Sequence, residues 1–375
     1  MKITRIEATS HRVPIRVPLR EQSLLWGAVC VRVETDAGIS GFGLTGHNYR
    51  FAVRECINRE IAPLLVGRDP LPTERHWYDL YSRLNPRAQT GAWSSAVSAV
   101  DIALWDIKGK VFSQPVWRLL GGYSQTVPAY VTFGLMEYSR EELVEAAKHF
   151  VAQGHDKLKM VVAVKQAKDP AEDAARVRVV REAVGDKVEL IVDANYMFAY
   201  PEALELCKRI EPYHIKWFEE PVYGNDARLL ASLRRHTSIP ISAGQNEGHK
   251  WRILELLLHE AVDIVQPNVV FVGGFTEALK VAAMAQAFNL PVANGGGWPH
   301  LNAHLMAGVA NGYRVEFHVP MWAASEQIFR NPPRPDRGTV TLPDIPGLGL
   351  QPNDDVLRDT RETDAEDTNV PRVHD

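Results

Sequence analysis

The sequence predicts an α/β protein in which a modified (β/α)8 TIM barrel follows an N-terminal α+β capping domain. Two observations predict this fold class. The first part of the chain alternates apolar and polar residues and then changes to helical spacing, and the rest alternates short apolar runs with longer amphipathic segments. At 375 residues the chain is long enough for two domains, or for one barrel with an added module.

The first residues have the pattern of an antiparallel meander. Alternating segments, the last two joined by an Asp-Ala-Gly turn, run from Ile3 to Thr9, from Ala28 to Glu34 and from Ile39 to Leu44. Short turns that contain glycine close β-hairpins. From Phe51 to Gly121 the spacing is helical, and residues 96–110 form the most apolar predicted helix.

Eight short apolar runs follow, separated by amphipathic segments. Ser139 and Glu142 make a capping box at one helix start, and Asp169-Pro170 combines an N-cap with proline at the first helical position. Gly154 and Gly185 are predicted to end these two helices. Strands that alternate with helices form a parallel barrel, whose functional residues lie at the C-terminal strand ends. The runs are Val127–Phe133, Lys157–Val162, Val188–Val192, Ile215–Phe218, Pro240–Ala243, Val262–Val265, Pro291–Ala293 and Arg314–Phe317.

These patterns divide the chain into two domains. We expect residues 1–125 to form the capping domain and residues 126–324 the barrel, with the C-terminal tail, about 325–375, completing the capping domain. The tail is polar and charged after about Gln351, so we expect it to pack on the first domain and to fray at its end.

Composition excludes several classes of partner and location. The formal net charge of -4 gives no reason to expect nucleic acid or an anionic membrane. No stretch approaches the roughly 18 continuous apolar residues of a membrane span. Residues 1–7 alternate like a strand, unlike a signal peptide, and three scattered cysteines are too few for a disulfide framework. We therefore expect a cytoplasmic protein.

Polar side chains end four of the predicted barrel strands. Lys159 is near the end of the second strand, and Asp193, Glu219 and Gln245 follow the next three at intervals of 26 residues each. One β/α unit takes roughly that length, so these three oxygen ligands can converge on one cation. Carboxylate and carbonyl oxygens without Cys or His suit Mg²⁺.

Two lysines accompany the candidate ligands. Lys157 and Lys159 are two residues apart, so both side chains are expected on the same face of their strand. An amine beside a dication is destabilised as ammonium and can act as a base near neutral pH. This combination suits removal of a weakly acidic proton next to a carboxylate, because a metal can take up the negative charge that develops.

Several segments together resemble the mandelate racemase group of the enolase superfamily, in the mandelate racemase/muconate lactonizing enzyme family. The segment 103–122 is similar to the domain-joining helix of that family, and the Lys-x-Lys, Val192–Asn195 and Phe218–Pro221 segments are similar to its catalytic segments. The likeness covers roughly residues 1–355. It implies Mg²⁺ bound by Asp193 and Glu219, Lys159 as the base, and Lys157 in contact with the substrate carboxylate.

The third metal ligand departs from the family pattern. A Glu is usual in a Gly-Glu-Asn-like segment, but here the residues are Gly244-Gln245-Asn246. The amide oxygen of Gln245 can bind Mg²⁺ with one negative charge less, and therefore with lower expected affinity. Glu247 is the alternative ligand if the loop is reshaped, and Gln245 is favoured.

The base on the opposite face of the substrate also departs from the pattern. The family has a histidine after the seventh strand, oriented by an Asp after the sixth. These positions hold a glycine of Gly295-Gly296-Gly297 and Asn268. His300 either replaces the histidine from a displaced loop or packs within that loop. An Asn cannot stabilise imidazolium as Asp does, so two-base chemistry is disfavoured.

Further candidates depend on loops that cover the barrel mouth in this family. Asn195 and Glu220 belong either to the ligand shell or to strand-end contacts, while His304 and His318 are expected to be structural. An ordinary surface loop is the alternative for the first-domain candidates, which are Ser23, Trp26, His47, Asn48 and Tyr49. We take Trp26, His47, Tyr49 and Asn195 as the substrate-binding residues.

The resemblance implies Mg²⁺-dependent abstraction of the α-proton of a carboxylate substrate. We expect dehydration of a sugar acid or another α-hydroxy acid, with Lys159 as the base and His300 or a water assisting the β-hydroxyl to leave. The alternatives are a racemase or epimerase, and a carboxylate-binding relative whose catalysis is impaired by the Gln and Asn changes. The expected partner is a small-molecule carboxylate, and the expected assembly is a homo-oligomer.

Overall fold

The computed structural model describes residues 1–46, 48–84, 87 and 89–363. Its first three strands pair antiparallel in chain order, with one apolar face buried against helices of the same domain. The strands are β1 (Ile3–Ile15), β2 (Leu24–Thr35) and β3 (Ser40–Thr45). The predicted meander is confirmed, and β1 and β2 extend beyond the alternating segments because their pairing continues to Ile15 and Leu24.

The helices of the first domain pack on one face of this sheet. They are α1 (Arg50–Glu55), which continues through a π-helical turn (Cys56–Ile61) into α2 (Ala62–Leu65), then α3 (Thr73–Leu84), α4 (Ala92–Val111) and α5 (Val116–Leu119). The apolar helix predicted at residues 96–110 is α4. A Cβ on Gly43 of β3 would lie 1.9 Å from the carbonyl oxygen of Ala99, so α4 packs directly on the strand backbone only because residue 43 is glycine.

Eight parallel strands then form a closed barrel, since each strand pairs with its sequence neighbour and the last pairs with the first. All eight predicted runs fall on these strands, and the fold class is confirmed. Inside the barrel lie Tyr130, Ile191, Trp217, Ile264 and Ala293. The strands are β4 (Thr126–Phe133), β5 (Lys157–Val161), β6 (Glu189–Asp193), β7 (Ile215–Glu219), β8 (Ile241–Ala243), β9 (Ile264–Val265), β10 (Val292–Ala293) and β11 (Gly312–His318).

Helices between the strands cover the outside of the barrel. The capping box forms as expected, with Ser139 accepting from the Glu142 N–H, and the Asp169 side chain caps the helix after β5 in the same way. Within the described residues, no helix combines the length and apolarity needed to cross a bilayer. The helices are α6 (Arg140–Ala152), α7 (Val164–Ala167), α8 (Pro170–Val184), α9 (Tyr200–Ile210), α10 (Ala227–Arg235), α11 (His249–Leu258), α12 (Gly274–Ala287) and α13 (Pro299–Gly308).

The chain after the barrel returns to the first domain. Its elements are α14 (Val319–Ile328), β12 (Phe329–Arg330), β13 (Thr339–Thr341), β14 (Gln351–Pro352) and α15 (Asp354–Asp359). Arg12 donates its backbone N–H to Thr360 (3.0 Å), and Glu362 donates its backbone N–H to Ser10 (2.9 Å). The predicted fraying of the last residues, 364–375, lies outside the described residues, and the predicted domain limits stay predictions.

Buried polar contacts join α4 to the barrel. The Asp101 carboxylate accepts the Thr276 N–H at 3.0 Å and the Thr276 hydroxyl at 2.5 Å. Burial raises the pKa of Asp101 to about 7, although the hydrogen bonds from Thr276 lower it. These contacts fix the first domain above the barrel.

Replacing Asp101 with Ala should lower the free energy of unfolding by about 2–4 kcal/mol, because two buried donors of Thr276 each lose their acceptor. Urea denaturation followed by circular dichroism measures the loss. The exposed Asp186→Ala variant is the matched control and should change stability by less than about 0.5 kcal/mol. Equal stability of the Asp101→Ala variant and the wild type would contradict this role.

Candidate active site

Three carboxylates surround one amine at the carboxyl-end mouth of the barrel. The Lys159 Nζ lies 2.9 Å from Asp193 Oδ2, 2.5 Å from Glu219 Oε1 and 2.8 Å from Glu316 Oε1. The Lys159 side chain is only 1% exposed, and those of Glu219 and Glu316 are fully buried. We call these four residues the mouth cluster.

Strand register brings the acidic members together. Asp193 and Glu219 are the last residues of the neighbouring strands β6 and β7, and they pair with each other. Asp193 also pairs with Val161 of β5, two residues beyond Lys159 on the same face. The long side chain of Lys159 therefore reaches upward between the two strand-end carboxylates.

The mouth cluster needs positive charge, which the Lys159 ammonium supplies in this structure. Burial by itself lowers the pKa of Lys159, but the carboxylates of Asp193, Glu219 and Glu316 outweigh it and raise this pKa well above its ordinary value. Burial raises the pKa of Glu219 well above its ordinary value, even though the Lys159 ammonium lowers it. A cation bound by the same carboxylates would compete directly with the ammonium.

Glu316 is a member that sequence reasoning missed. It lies in β11, accepts a hydrogen bond from the Thr132 hydroxyl, and accepts the Gly297 N–H at 2.8 Å. Burial opposes its ionisation, but the Lys159 ammonium and His318 hold the pKa of Glu316 below its ordinary value. The available signal was the alternation of Arg314, Glu316 and His318 along one face of an otherwise apolar run.

Gln245 faces the mouth cluster with its amide oxygen. Its Nε2 donates to Glu220 at 2.5 Å, which turns Oε1 the other way. A Cβ on Gly295 would lie 3.0 Å from Gln245 Oε1 and also 3.0 Å from Glu219 Oε1. The two oxygens therefore lie close together, on either side of the space that a side chain at residue 295 would fill. Gln245 therefore shares a site with Glu219.

Glu247, the alternative ligand, is directed elsewhere. Its carboxylate accepts from Arg252 Nε at 3.0 Å and from Asn225 Nδ2 at 3.3 Å. These two bonds occupy both oxygens of the carboxylate. The loop after β8 therefore does not have the shape that would bring the Glu247 carboxylate to Glu219.

The donor set fits a hard divalent cation. The described residues contain no group of three His, Cys, Asp or Glu side chains placed to hold a metal. The candidate donors are instead the carboxylates of Asp193 and Glu219 and the amide oxygen of Gln245, beside a glycine whose missing side chain leaves room. Oxygen donors of this kind suit Mg²⁺, which keeps several waters or substrate oxygens.

The structure does not bring His300 to the mouth cluster, so its predicted catalytic role is corrected. His300 begins α13, is 1% exposed, and its Nε2 lies 3.0 Å from the Pro333 carbonyl oxygen. Its ring packs edge-on against Phe317, with ring centres 5.9 Å apart. Phe317 alternates with the inward Glu316 on β11, so His300 packs outside the strands.

Amides stand where the family has its Asp–His pair. Asn268 Nδ2 donates to the Gly295 carbonyl oxygen at 2.8 Å, and Asn302 Nδ2 donates to Asn268 Oδ1 at 2.8 Å. Neither amide titrates, and glycine has no side chain. Among the described residues, those at the two positions of the family's Asp–His pair therefore have no titratable side chain of the kind a second base requires.

The structure also does not bring Lys157 to the mouth cluster, which corrects its predicted contact with the substrate carboxylate. Lys157 begins β5, at the end of the strand away from the mouth, and pairs with Asp156 at 2.6 Å. Two residues along a strand are about 6–7 Å. The two lysines thus share a face but differ in depth, which a period of two does not reveal.

Two strand residues of the first domain contact the barrel near its mouth, and the predicted substrate-binding roles of Trp26, Tyr49 and Asn195 stay predictions. Trp26 of β2 is half-buried with its ring 6.3 Å from the His318 ring, and the Thr45 hydroxyl donates to the Val270 carbonyl oxygen at 2.6 Å. Asn195 is exposed, and its N–H donates to Asp193 Oδ1 at 2.8 Å. Tyr49 is 68% exposed in the loop after β3. Ser23 and Asn48 are exposed, while His47 lies outside the described residues.

A capped parallel barrel with carboxylates at its strand ends defines a class of barrel enzymes, and comparison with known proteins identifies the family. The chain belongs to the mandelate racemase/muconate lactonizing enzyme family of the enolase superfamily. Residues 3–121 match the mandelate racemase/muconate lactonizing enzyme N-terminal domain, and residues 142–356 match the enolase C-terminal domain-like family.

Individual relatives include dehydratases and cycloisomerases. The chain is 32% identical to an arabinonate dehydratase of Saccharolobus solfataricus, over 88% of this chain and 90% of that one. It is 30% identical to a 3,6-anhydro-alpha-L-galactonate cycloisomerase of Streptomyces coelicolor, over 93% and 96%. A racemase from Streptomyces coelicolor A3(2), solved with bound magnesium, superposes with a TM-score of 0.88 at 30% identity, covering 96% of this chain and 100% of that chain.

Proposed function

We propose that this protein is a Mg²⁺-dependent sugar acid dehydratase. The observation that carries the proposal is the mouth cluster, in which a buried amine lies within 2.5–2.9 Å of three carboxylates, with the amide oxygen of Gln245 close to one of them. Relatives that are sugar acid dehydratases support the choice of substrate. The contacts of Lys159 within the mouth cluster support its proposed role as the group that removes a proton next to a carboxylate.

In the proposed reaction the metal ligands and Lys159 have different roles. Asp193, Glu219 and Gln245 would hold Mg²⁺, which stabilises the negative charge of an enediolate. The Lys159 ammonium first gives a proton to solvent, and its neutral Nζ then takes the proton from carbon α while the electron pair of that C–H bond enters the enediolate. This pair then forms the double bond between carbons α and β as the β C–O bond breaks. The hydroxyl takes a proton from a neighbouring acid or from water and leaves as water, and the enol converts to a 2-keto-3-deoxy acid.

The residues at the family's Asp–His positions, Asn268 and Gly295, support dehydration over racemisation. Racemisation requires a competent proton donor on each face of the α-carbon. Asn268, Asn302 and Gly295 form an amide and backbone network on the side where the family places its second base. Elimination needs one base at carbon α, which Lys159 supplies.

The proposal is tested with a panel of arabinonate, galactonate, gluconate and xylonate in the presence of Mg²⁺. We expect at least one acid to give a 2-keto-3-deoxy product, detected by reaction of the keto group with semicarbazide, and we expect chelation by EDTA to stop the reaction. Tight Mg²⁺ binding with no keto acid from any sugar acid, including a wider set of aldonates, would overturn the proposal. The cytoplasmic location and the homo-oligomer stay predictions.

A further inference from the structure

His318 is the histidine that the fold places beside the mouth cluster. It ends β11, two residues after Glu316, with extended backbone at φ -69 and ψ 116. Side chains two residues apart on a strand share a face, so His318 points to the barrel interior one layer nearer the mouth than Glu316. Sequence reasoning treated this histidine as structural.

Register aligns His318 with the base. His318 pairs with Thr132 of β4, and Thr132 pairs with Lys159 of β5. The two residues therefore stand at the same height on strands separated by two spacings, about 10 Å between backbones. A small substrate between them can present adjacent carbons to the two side chains.

The surroundings leave the imidazole available. Its Nδ1 is buried without a hydrogen-bond partner in the part of the chain that the structure describes. Trp26 of the first domain packs near the imidazole, with the two ring centres 6.3 Å apart. Nδ1 of His300 and of His304 is likewise buried without a partner, but Nε2 of each of those rings lies 3.0 Å from a carbonyl oxygen, of Pro333 and of Leu348 respectively.

We infer that His318 is the acid catalyst that protonates the departing β-hydroxyl. This inference rests on the proposed dehydration. As the β C–O bond breaks, its electron pair goes to the oxygen, and a proton passes from an imidazole nitrogen of protonated His318 to the same oxygen. The hydroxyl leaves as water, and the neutral ring regains its proton from solvent. Lys159 and His318 thus divide the two proton transfers, one at carbon α and one at the leaving group.

The electrostatic setting is compatible with proton donation. Burial lowers the pKa of His318, Glu316 raises it and Lys159 lowers it. An imidazolium with a lowered pKa is a stronger acid whenever it is protonated. Glu316 and Asp193 stabilise the protonated ring while Lys159 opposes it.

The test compares His318→Gln with the wild type in D₂O, using Mg²⁺ and the sugar acid that the wild type dehydrates best. We expect dehydration to slow by about 10²–10⁴-fold, the usual contribution of one acid catalyst. Exchange of the α-proton for deuterium in recovered substrate should persist, because Lys159 is intact. His304→Gln changes a more deeply buried histidine, of α13, that lies away from the mouth cluster; it is the control and should dehydrate at the wild-type rate.

A second variant separates chemistry from folding. His318→Ala should regain part of its dehydration activity when imidazole is added, because the added imidazolium can supply the missing proton. Wild-type dehydration by His318→Gln would overturn the inference. Equal loss of α-exchange and dehydration without rescue by imidazole would also overturn it, by showing a structural role. If the wild type itself dehydrates no sugar acid, the proposed function fails instead.

Discussion

Lys159→Met should lower kcat for dehydration by about 10³–10⁴-fold, near the upper end of what a single base contributes. Methionine keeps the length of the side chain but has no nitrogen to accept the α-proton. Mg²⁺ should bind this variant at least as tightly as it binds the wild type, because the ammonium no longer competes for Asp193, Glu219 and Glu316. Steady-state kinetics and isothermal titration calorimetry measure the two effects.

The Lys157→Met variant distinguishes the role predicted for Lys157 from the sequence from the role that its position in the structure indicates. If Lys157 contacted the substrate carboxylate, its loss would raise KM. Its place at the far end of β5, paired with Asp156, predicts kcat and KM within a few-fold of the wild type. A Lys159→Met variant that kept turnover within tenfold of the wild type would contradict Lys159 as the base.

Asp193→Asn and Gln245→Leu should each weaken Mg²⁺ binding by at least about 10–100-fold. Removing a residue that only supports a metal ligand already costs about that much, and both of these residues are proposed to be ligands themselves. Asp193→Asn removes one negative charge from the site, and Gln245→Leu removes an oxygen donor at similar volume. Calorimetric titration of Mg²⁺ at fixed ionic strength gives the affinity of each variant. Saturating Mg²⁺ should restore part of the turnover.

Glu247→Gln is the matched control for the third ligand. Glu247 pairs with Arg252 and Asn225, so its neutralisation should leave Mg²⁺ affinity within a few-fold of the wild type. A larger loss for Glu247→Gln than for Gln245→Leu would show that Glu247 is the ligand. That outcome would require the loop after β8 to rearrange on binding.

The barrel was predictable because its signals are local. Each strand is a short apolar run, and the helix starts at Ser139 and Asp169 depend on residues three positions apart. Asp193 and Glu219 could be placed together because both end their strands at the spacing of one unit. The period of the apolar residues and the spacing of the polar ones can be read from the sequence, so these predictions do not require knowledge of tertiary contacts.

The rest of the site could not be predicted from the sequence. It depends on how far along the barrel each side chain lies and on contacts between segments that are distant in the chain. Lys157 and Lys159 have the same face by period, but only the strand register shows that Lys159 alone reaches Asp193. Glu316 was overlooked because its partners, Thr132 and Lys159, lie on β4 and β5, at the other end of the barrel sequence. His300 was misplaced because the sequence does not show that the glycine run turns the chain so that α13 packs outside the strands.

Proton NMR of the wild type in D₂O, with Mg²⁺ and a sugar acid that it consumes, tests the central claim most directly. Proton abstraction followed by elimination predicts that the substrate α-proton signal disappears as signals of a 2-keto-3-deoxy acid appear, and that neither change occurs with EDTA. Recovered substrate that carries α-deuterium, or its epimer, with no keto acid formed would contradict dehydration and indicate racemisation or epimerisation at the same carbon.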